Sequence, residues 1–142
     1  MANVDKVVTN VNLIEGTGVA VPVTAFTSDT SVNDTETLII TPTRPGCKLV
    51  LIINENGSGD QGAMSVTITA GDYWAGVAMA AVTIANTIKK AFVFEPAKYQ
   101  AMADSHIHVK VAPYTGKKLA TNHAATWQCF QMPGPTAWAA AG

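Results

Sequence analysis

The run Lys48-Leu49-Val50-Leu51-Ile52-Ile53-Asn54 is followed by a polar turn, 55–62, and then by Ala63-Met64-Ser65-Val66-Thr67-Ile68-Thr69. The second run alternates strictly, so an extended chain places Met64, Val66 and Ile68 on one face and three hydroxyl side chains on the other. Two β-rich runs joined by a cluster of Asn, Gly, Ser and Asp predict an antiparallel hairpin. No reactive group lies in this hairpin, so it indicates architecture rather than chemistry.

Further short β-rich segments lie on both sides of this pair. They are Val19–Phe26 around Pro22, Thr37–Thr41, Val82–Asn86, Lys90–Phe94, His106–Val111 and Ala125–Met132. The one helical expectation is a single turn at 95–99. About eight short strands separated by turn-forming clusters predict an all-β fold, a single antiparallel β-sandwich or jelly-roll-like domain with extended termini.

The two ends of the chain differ from its middle. Residues 1–18 are predicted to be an N-terminal arm or edge segment, because their valines recur at a helix-like spacing but have poor helix propensity. Residues 19–132 form the predicted sandwich domain. Residues 133–142 are a Pro/Gly/Ala tail with one large aromatic residue, Trp138. The tail is predicted either to dock on a neighbouring molecule through Trp138 or to be a frayed terminus.

The composition excludes several classes of protein. The chain has 142 residues, enough for one domain, with 13% charged residues and a net charge of −1. Its lysines are dispersed, which argues against nucleic-acid binding, and no apolar run reaches the roughly 20 residues of a membrane span. The amino terminus lacks the features of a signal peptide, so synthesis in a cytoplasm is expected. So little charge favours self-association, and a homo-oligomer is predicted, with a stable monomer as the alternative.

The two cysteines, Cys47 and Cys129, fit neither a zinc-ligand spacing nor a redox pair. Cys47 precedes a predicted strand and Cys129 lies inside the last one. We expect two buried thiols, and a disulfide between an early strand and the last is the alternative.

One group of residues has the types that bind metals. Asp104, His106 and His108 share one face of an extended strand, and His123 is a distant fourth candidate. The same alternation arises in any strand that buries Ile107 and solvates its other side. We therefore predict no metal and no cofactor. A histidine cluster at an interface could instead respond to acid.

Sequence signals for catalysis are weak, and no enzyme is predicted. No serine lies in a Gly-x-Ser-x-Gly elbow, and the glycine-rich segment 56–59 lacks the Lys-Ser/Thr ending of a phosphate-binding loop. Tyr73 and Trp74, in a loop flanked by glycines, are the best candidates for an interaction site. They could stack on a sugar or anchor a protein partner, or they could close one end of the sandwich.

The segment from Lys48 to Met132 resembles the head decoration, or cement, proteins of bacteriophages. The likeness is one of layout, in which a Lys-x-x-Leu-Ile-Ile-Asn strand precedes Ser65-Val66-Thr67-Ile68-Thr69-Ala70-Gly71-Asp72 and an aromatic loop. Two later runs complete it, Phe92-Val93-Phe94-Glu95-Pro96-Ala97-Lys98-Tyr99 and Ile107-His108-Val109-Lys110-Val111. It covers about the last two-thirds of the chain.

This resemblance implies a non-enzymatic virion protein on the capsid exterior. Such a protein bridges subunits of the major capsid protein and stabilises the shell, often as a trimer. Low charge, a rigid body and extended arms suit that role. The alternative from another class is a carbohydrate- or receptor-binding surface module that uses Tyr73 and Trp74.

Overall fold

The structure, a computed structural model, describes residues 2–27, 31–44, 46–69, 71 and 79–133. Within these ranges it contains ten strands and one helical turn. They are β1 (Asn3–Val8), β2 (Val11–Asn12), β3 (Thr24–Ala25), β4 (Thr35–Ile40), β5 (Leu49–Asn54), β6 (Met64–Ile68), β7 (Met79–Ile84), β8 (Lys89–Phe94), α1 (Pro96–Tyr99), β9 (Ile107–Ala112) and β10 (Thr126–Gln131). The predicted all-β fold is confirmed, as is the helical turn after β8.

The strands form two sheets that enclose one apolar core. Sheet A has the order β1-β4-β9-β6-β7, and sheet B has the order β2-β10-β5-β8, with β3 also paired to β10. Alternate residues of each central strand are fully buried, as in Leu49, Leu51 and Ile53 of β5. Half-buried strands of this kind are stable only when two sheets bury their apolar faces against each other.

The sheets are mixed rather than wholly antiparallel as predicted. β1 runs parallel to β4, and β2 runs parallel to β10. Both parallel strands come from residues 3–12, which leave the edge of sheet A and join the edge of sheet B. Between them, the Asn10 Nδ2 group donates to Gln131 Oε1 over 3.1 Å. The valines of this segment therefore lie in edge strands. Their helix-like spacing does not correspond to a helix.

The hairpin predicted for residues 48–69 is wrong. β5 belongs to sheet B and β6 to sheet A, so the segment 55–63 crosses between the sheets. Each strand turns one row of apolar residues inward, and stacked sheets lie about 10 Å apart, a gap that nine residues span easily. A polar turn cluster has the same composition in a hairpin and in a crossing connection, which is why sequence alone misassigned it.

The last described strand, β10, carries a buried side chain that holds the turn before β5. In β10, Trp127, Cys129 and Gln131 face inward and are buried, as the alternation predicts. The Gln131 amide accepts the Thr43 N–H at 2.9 Å and donates to the Arg44 carbonyl at 2.6 Å. This buried side chain therefore fixes the turn that precedes β5.

Candidate functional site

The outer faces of the two sheets differ in chemistry. On sheet A the outward residues are mostly polar, and the Thr35 and Thr37 hydroxyls both donate to Asn3 Oδ1 at 2.8 Å. The polar residues of this face are Asn3, Asp5, Thr35, Thr37, Ser65, Thr67, Thr83, His108 and Lys110. The apolar exceptions are Val7, which is 77% exposed at the sheet edge, its neighbour Ile39, and Ala112, which pairs with Ser65. Water can satisfy the hydrogen-bonding groups of such a face.

The outer face of sheet B is apolar instead. The strand register places four apolar residues in one row across the sheet, in the order Val11, Phe130, Val50 and Val93. The next row contains Gln128, Ile52 and Ala91. Because adjacent strands lie about 4.8 Å apart, the four-residue row spans about 14 Å. We call Val11, Phe130, Val50, Val93, Ile52 and Ala91 the apolar band.

The apolar band is accessible at its β8 side. Val93 is 60% exposed, and Ala91 is exposed as well. β8 is the last strand of sheet B, so among the described residues no strand extends the sheet beyond it. Single exposed valines are common on proteins, but a contiguous row on one sheet face is typical of a surface that another molecule covers.

Polar residues border the band at both ends of the strands. At one end, Lys48 Nζ lies 2.7 Å from Glu95 Oε2. The hydrogen bond from Lys48 lowers the pKa of Glu95, and the charges of Lys48 and Lys98 act in the same direction. At the other end, Thr126, Asn54 and Lys89 form a polar row in the same register. An apolar centre with a polar rim is the usual anatomy of a protein–protein interface.

The predicted metal candidates come together without forming a metal site. Asp104 Oδ2 lies 2.9 Å from His108 Nε2 and 3.9 Å from His106 Nδ1. The His106 backbone N–H lowers the pKa of Asp104 most, and the His108 side chain lowers it further. No group of three or more His, Cys, Asp or Glu side chains in the described ranges is arranged to hold a metal. The cluster is a hydrogen-bonded turn at the start of β9.

His123, the distant fourth metal candidate, lies elsewhere and is fully buried. It contacts Glu55, with Nδ1 3.4 Å from Oε2, and both side chains are 0% exposed. Tyr114 lies two residues after the end of β9. Its backbone N–H donates to His123 Nε2. Sequence reasoning missed this pair, because the two residues are far apart in the chain and have no shared motif. Full burial keeps the pair from any substrate.

The two cysteines are free and buried, as expected, and no disulfide joins them. Burial raises the pKa of the Cys129 thiol to about 12. A thiol with such a pKa is a poor nucleophile at neutral pH.

Two clefts among the described residues are lined without reactive groups. One, of about 350 Å³, is lined by Asn33, Thr35, Ala112, Pro113 and Thr115. Another, of about 240 Å³, is lined by Pro42, Thr43, Gly46, Pro96, Ala97 and Gln100. Neither lining includes an acid, a base, a histidine or a cysteine.

Three predicted interaction residues, Tyr73, Trp74 and Trp138, lie outside the described residues. In the described part of the chain, no helix has the length and apolar character needed to cross a membrane. No protein-family model, curated protein or solved structure matches the chain.

Proposed function

We propose that this chain is a non-enzymatic structural protein that binds protein neighbours through the apolar band of sheet B. The observation that supports the proposal is the contrast between the two outer faces. Both sheets belong to one small domain, yet one outer face is hydroxyl-rich and the other carries a row of four apolar residues. Covering such a row removes apolar surface from water, which is the main driving force of protein association.

The form of this function that we propose is capsid decoration. The resemblance to phage cement proteins implies a molecule on the virion exterior that bridges major capsid protein subunits, as a homo-oligomer with a trimer favoured. A sandwich with one apolar outer face suits that role, because the apolar face can lie on the shell while the polar face remains in water. The alternative, carbohydrate binding through Tyr73 and Trp74, gains no specific support from the described residues.

The experiment uses expanded particles assembled from the major capsid protein encoded in the same genome. Purified chain is expected to co-sediment with these particles and to raise their disruption temperature. Val93→Glu is expected to weaken binding by at least about tenfold, because docking would bury an unpaired carboxylate. Thr83→Glu is the matched control, since Thr83 is an exposed outward residue on the edge strand of sheet A. Its binding should equal that of the unsubstituted chain.

The outcomes separate the two parts of the proposal. If the chain neither binds the particles nor changes their disruption temperature, capsid decoration is wrong. If it binds but both variants bind equally well, decoration stands and the apolar band is not the contact surface. Circular dichroism of both variants confirms that each is folded before binding is compared.

A further inference from the structure

The buried pair of Glu55 and His123 joins two connections that cross between the sheets. Glu55 begins the segment 55–63, which leads from β5 to β6, and His123 lies in the segment 113–125, which leads from β9 to β10. The Asn56 N–H donates to the His123 carbonyl at 2.9 Å. The Tyr114 ring packs directly on Gly62, where a Cβ atom would collide with it. Both connections are therefore clamped together at one end of the sandwich.

Hydrogen bonds determine where the protons of this pair lie. The Tyr114 N–H donates to His123 Nε2 at 3.1 Å, so this ring nitrogen carries no proton. The proton of the neutral imidazole is then on Nδ1, which faces Glu55 Oε2 at 3.4 Å. The other carboxylate oxygen, Oε1, accepts the Gly57 N–H. Nε2 and Oε1 thus accept hydrogen bonds from backbone N–H groups, whereas Nδ1 and Oε2 face each other at 3.4 Å without forming a hydrogen bond.

The two backbone hydrogen bonds leave no place for an additional proton on His123 Nε2 or on Glu55 Oε1. A proton on His123 Nε2 would point at the Tyr114 N–H, and a proton on Glu55 Oε1 would point at the Gly57 N–H. In each case two hydrogen-bond donors would face each other in a fully buried site. An unsatisfied polar group in such a site costs free energy. Among the described residues no other ionisable side chain forms an ion pair or hydrogen bond with Glu55 or His123.

We propose that this pair is an acid-sensitive clamp. Uptake of one proton breaks the contact between the segments 55–63 and 113–125 and opens this end of the sandwich, while the strands remain paired. The open form binds one proton more than the closed form, so acid favours opening and the clamp is closed at neutral pH. Opening exposes Leu119, which is fully buried in the second segment. This inference does not depend on the proposed function.

Amide hydrogen exchange of the full chain tests the clamp. The probes are the amides of Tyr114 and Asn56, measured from about pH 7.5 to about pH 4.5, the interval in which imidazole and carboxyl groups take up protons. After correction for the intrinsic exchange rate, protection of both amides is expected to fall by up to about tenfold per pH unit. The amides of Leu51 and Val109, inside the sheets, should keep their protection and serve as internal controls.

Two variants make the test specific. In Glu55→Gln the carboxylate is replaced by a neutral amide, so protection of the Tyr114 amide should be low at pH 7.5 and nearly independent of pH. His123→Gln can still accept from Tyr114 and donate to Glu55, but it lacks the imidazole. Its Tyr114 amide should therefore lose less protection between pH 7.5 and pH 4.5 than that of the unsubstituted chain.

The unsubstituted chain alone can overturn the proposal. Unchanged protection of Tyr114 down to pH 4.5 would show that the clamp does not open. A fall that parallels the fall at Leu51 would show global unfolding instead. If both variants fail to fold, this comparison between the two ends of one molecule still decides the question.

Discussion

Gln128 and Gln131 lie three residues apart on β10 and project from opposite faces of sheet B. Gln131 is fully buried, and its amide bonds to Asn10, Thr43, Arg44 and Cys47. Gln128 is on the outer face and donates one 3.3 Å hydrogen bond, to the Val21 carbonyl. One residue type thus has two very different environments on a single strand.

Replacing these two glutamines should have unequal effects on stability. Gln131→Leu removes the partner of the part-buried backbone groups of Thr43 and Arg44 and of the buried Cys47 carbonyl, so the free energy of unfolding should fall by about 3 kcal/mol. Gln128→Leu should change it by less than about 1 kcal/mol. Urea denaturation measures both values. Equal losses would mean that the amide of Gln131 does not hold the turn before β5.

The two faces of sheet B should also differ in their contribution to stability. Leu51 is completely buried on the inner face of β5, and Leu51→Ala should cost about 2–5 kcal/mol through lost burial and a cavity. Val93→Thr, on the outer face of β8, should change the free energy of unfolding by about 0.5 kcal/mol or less. A large loss at Val93 in the isolated chain would mean that the apolar band is already covered within the molecule.

Acid should weaken the turn at the start of β9. The pKa of Asp104 is lowered, first by the His106 backbone N–H and then by the His108 side chain. A carboxyl group with a lowered pKa stabilises the folded state at pH values above its unfolded pKa, and this contribution is lost as the pH falls through the lower folded value. The loss should therefore lie below about pH 4.

An NMR titration of the Asp104 carboxyl group checks this assignment. His108→Ala should raise the pKa of Asp104 only in part, because the main-chain N–H of His106 still donates to Oδ1 at 3.0 Å. His106→Ala keeps that N–H and should have the smaller effect. A complete return to the ordinary value in His108→Ala would make the side-chain contact, and not the backbone bond, the main cause.

The cysteines should be unreactive until the protein unfolds. Both thiols are buried and free, and the pKa of Cys129 is about 12. Folded protein at about pH 8 should therefore react with a thiol reagent far more slowly than denatured protein, in which thiols ionise near pH 8.5. Mass spectrometry after alkylation counts the modified residues. Rapid labelling of Cys129 in folded protein would contradict the burial of β10.

Local sequence patterns predicted where the strands lie better than they predicted which strands pair with each other. The strict alternation in 64–68 and 107–111 reports directly which side chains face the core, and the structure has strands there. Pairing between strands depends on where the connections go. Residues 55–62 have the composition of a hairpin turn but belong to a connection between the two sheets. The sequence of residues 3–8 likewise contains no local signal that this segment lies parallel to β4.

The apolar band has a signal in the sequence of β5. In Leu49-Val50-Leu51-Ile52-Ile53 the apolar residues do not alternate with polar ones, which is typical of a strand that is covered on both faces. The pair of Glu55 and His123 had no such signal, because two residues 68 positions apart meet only through the topology (123 minus 55). Neither burial nor proton placement can be derived from spacing in such a case.

The position of β10 bears on how the chain folds as it is synthesised. This strand lies between β5 on one side and β2 and β3 on the other, yet it is made last of the ten. β2 and β3 pair with no other described strand, so both must remain unpaired until residues 126–131 emerge from the ribosome. Contacts between distant segments form slowly and leave apolar surface open meanwhile. The nascent polypeptide is therefore most vulnerable to aggregation in the interval before residues 126–131 have emerged.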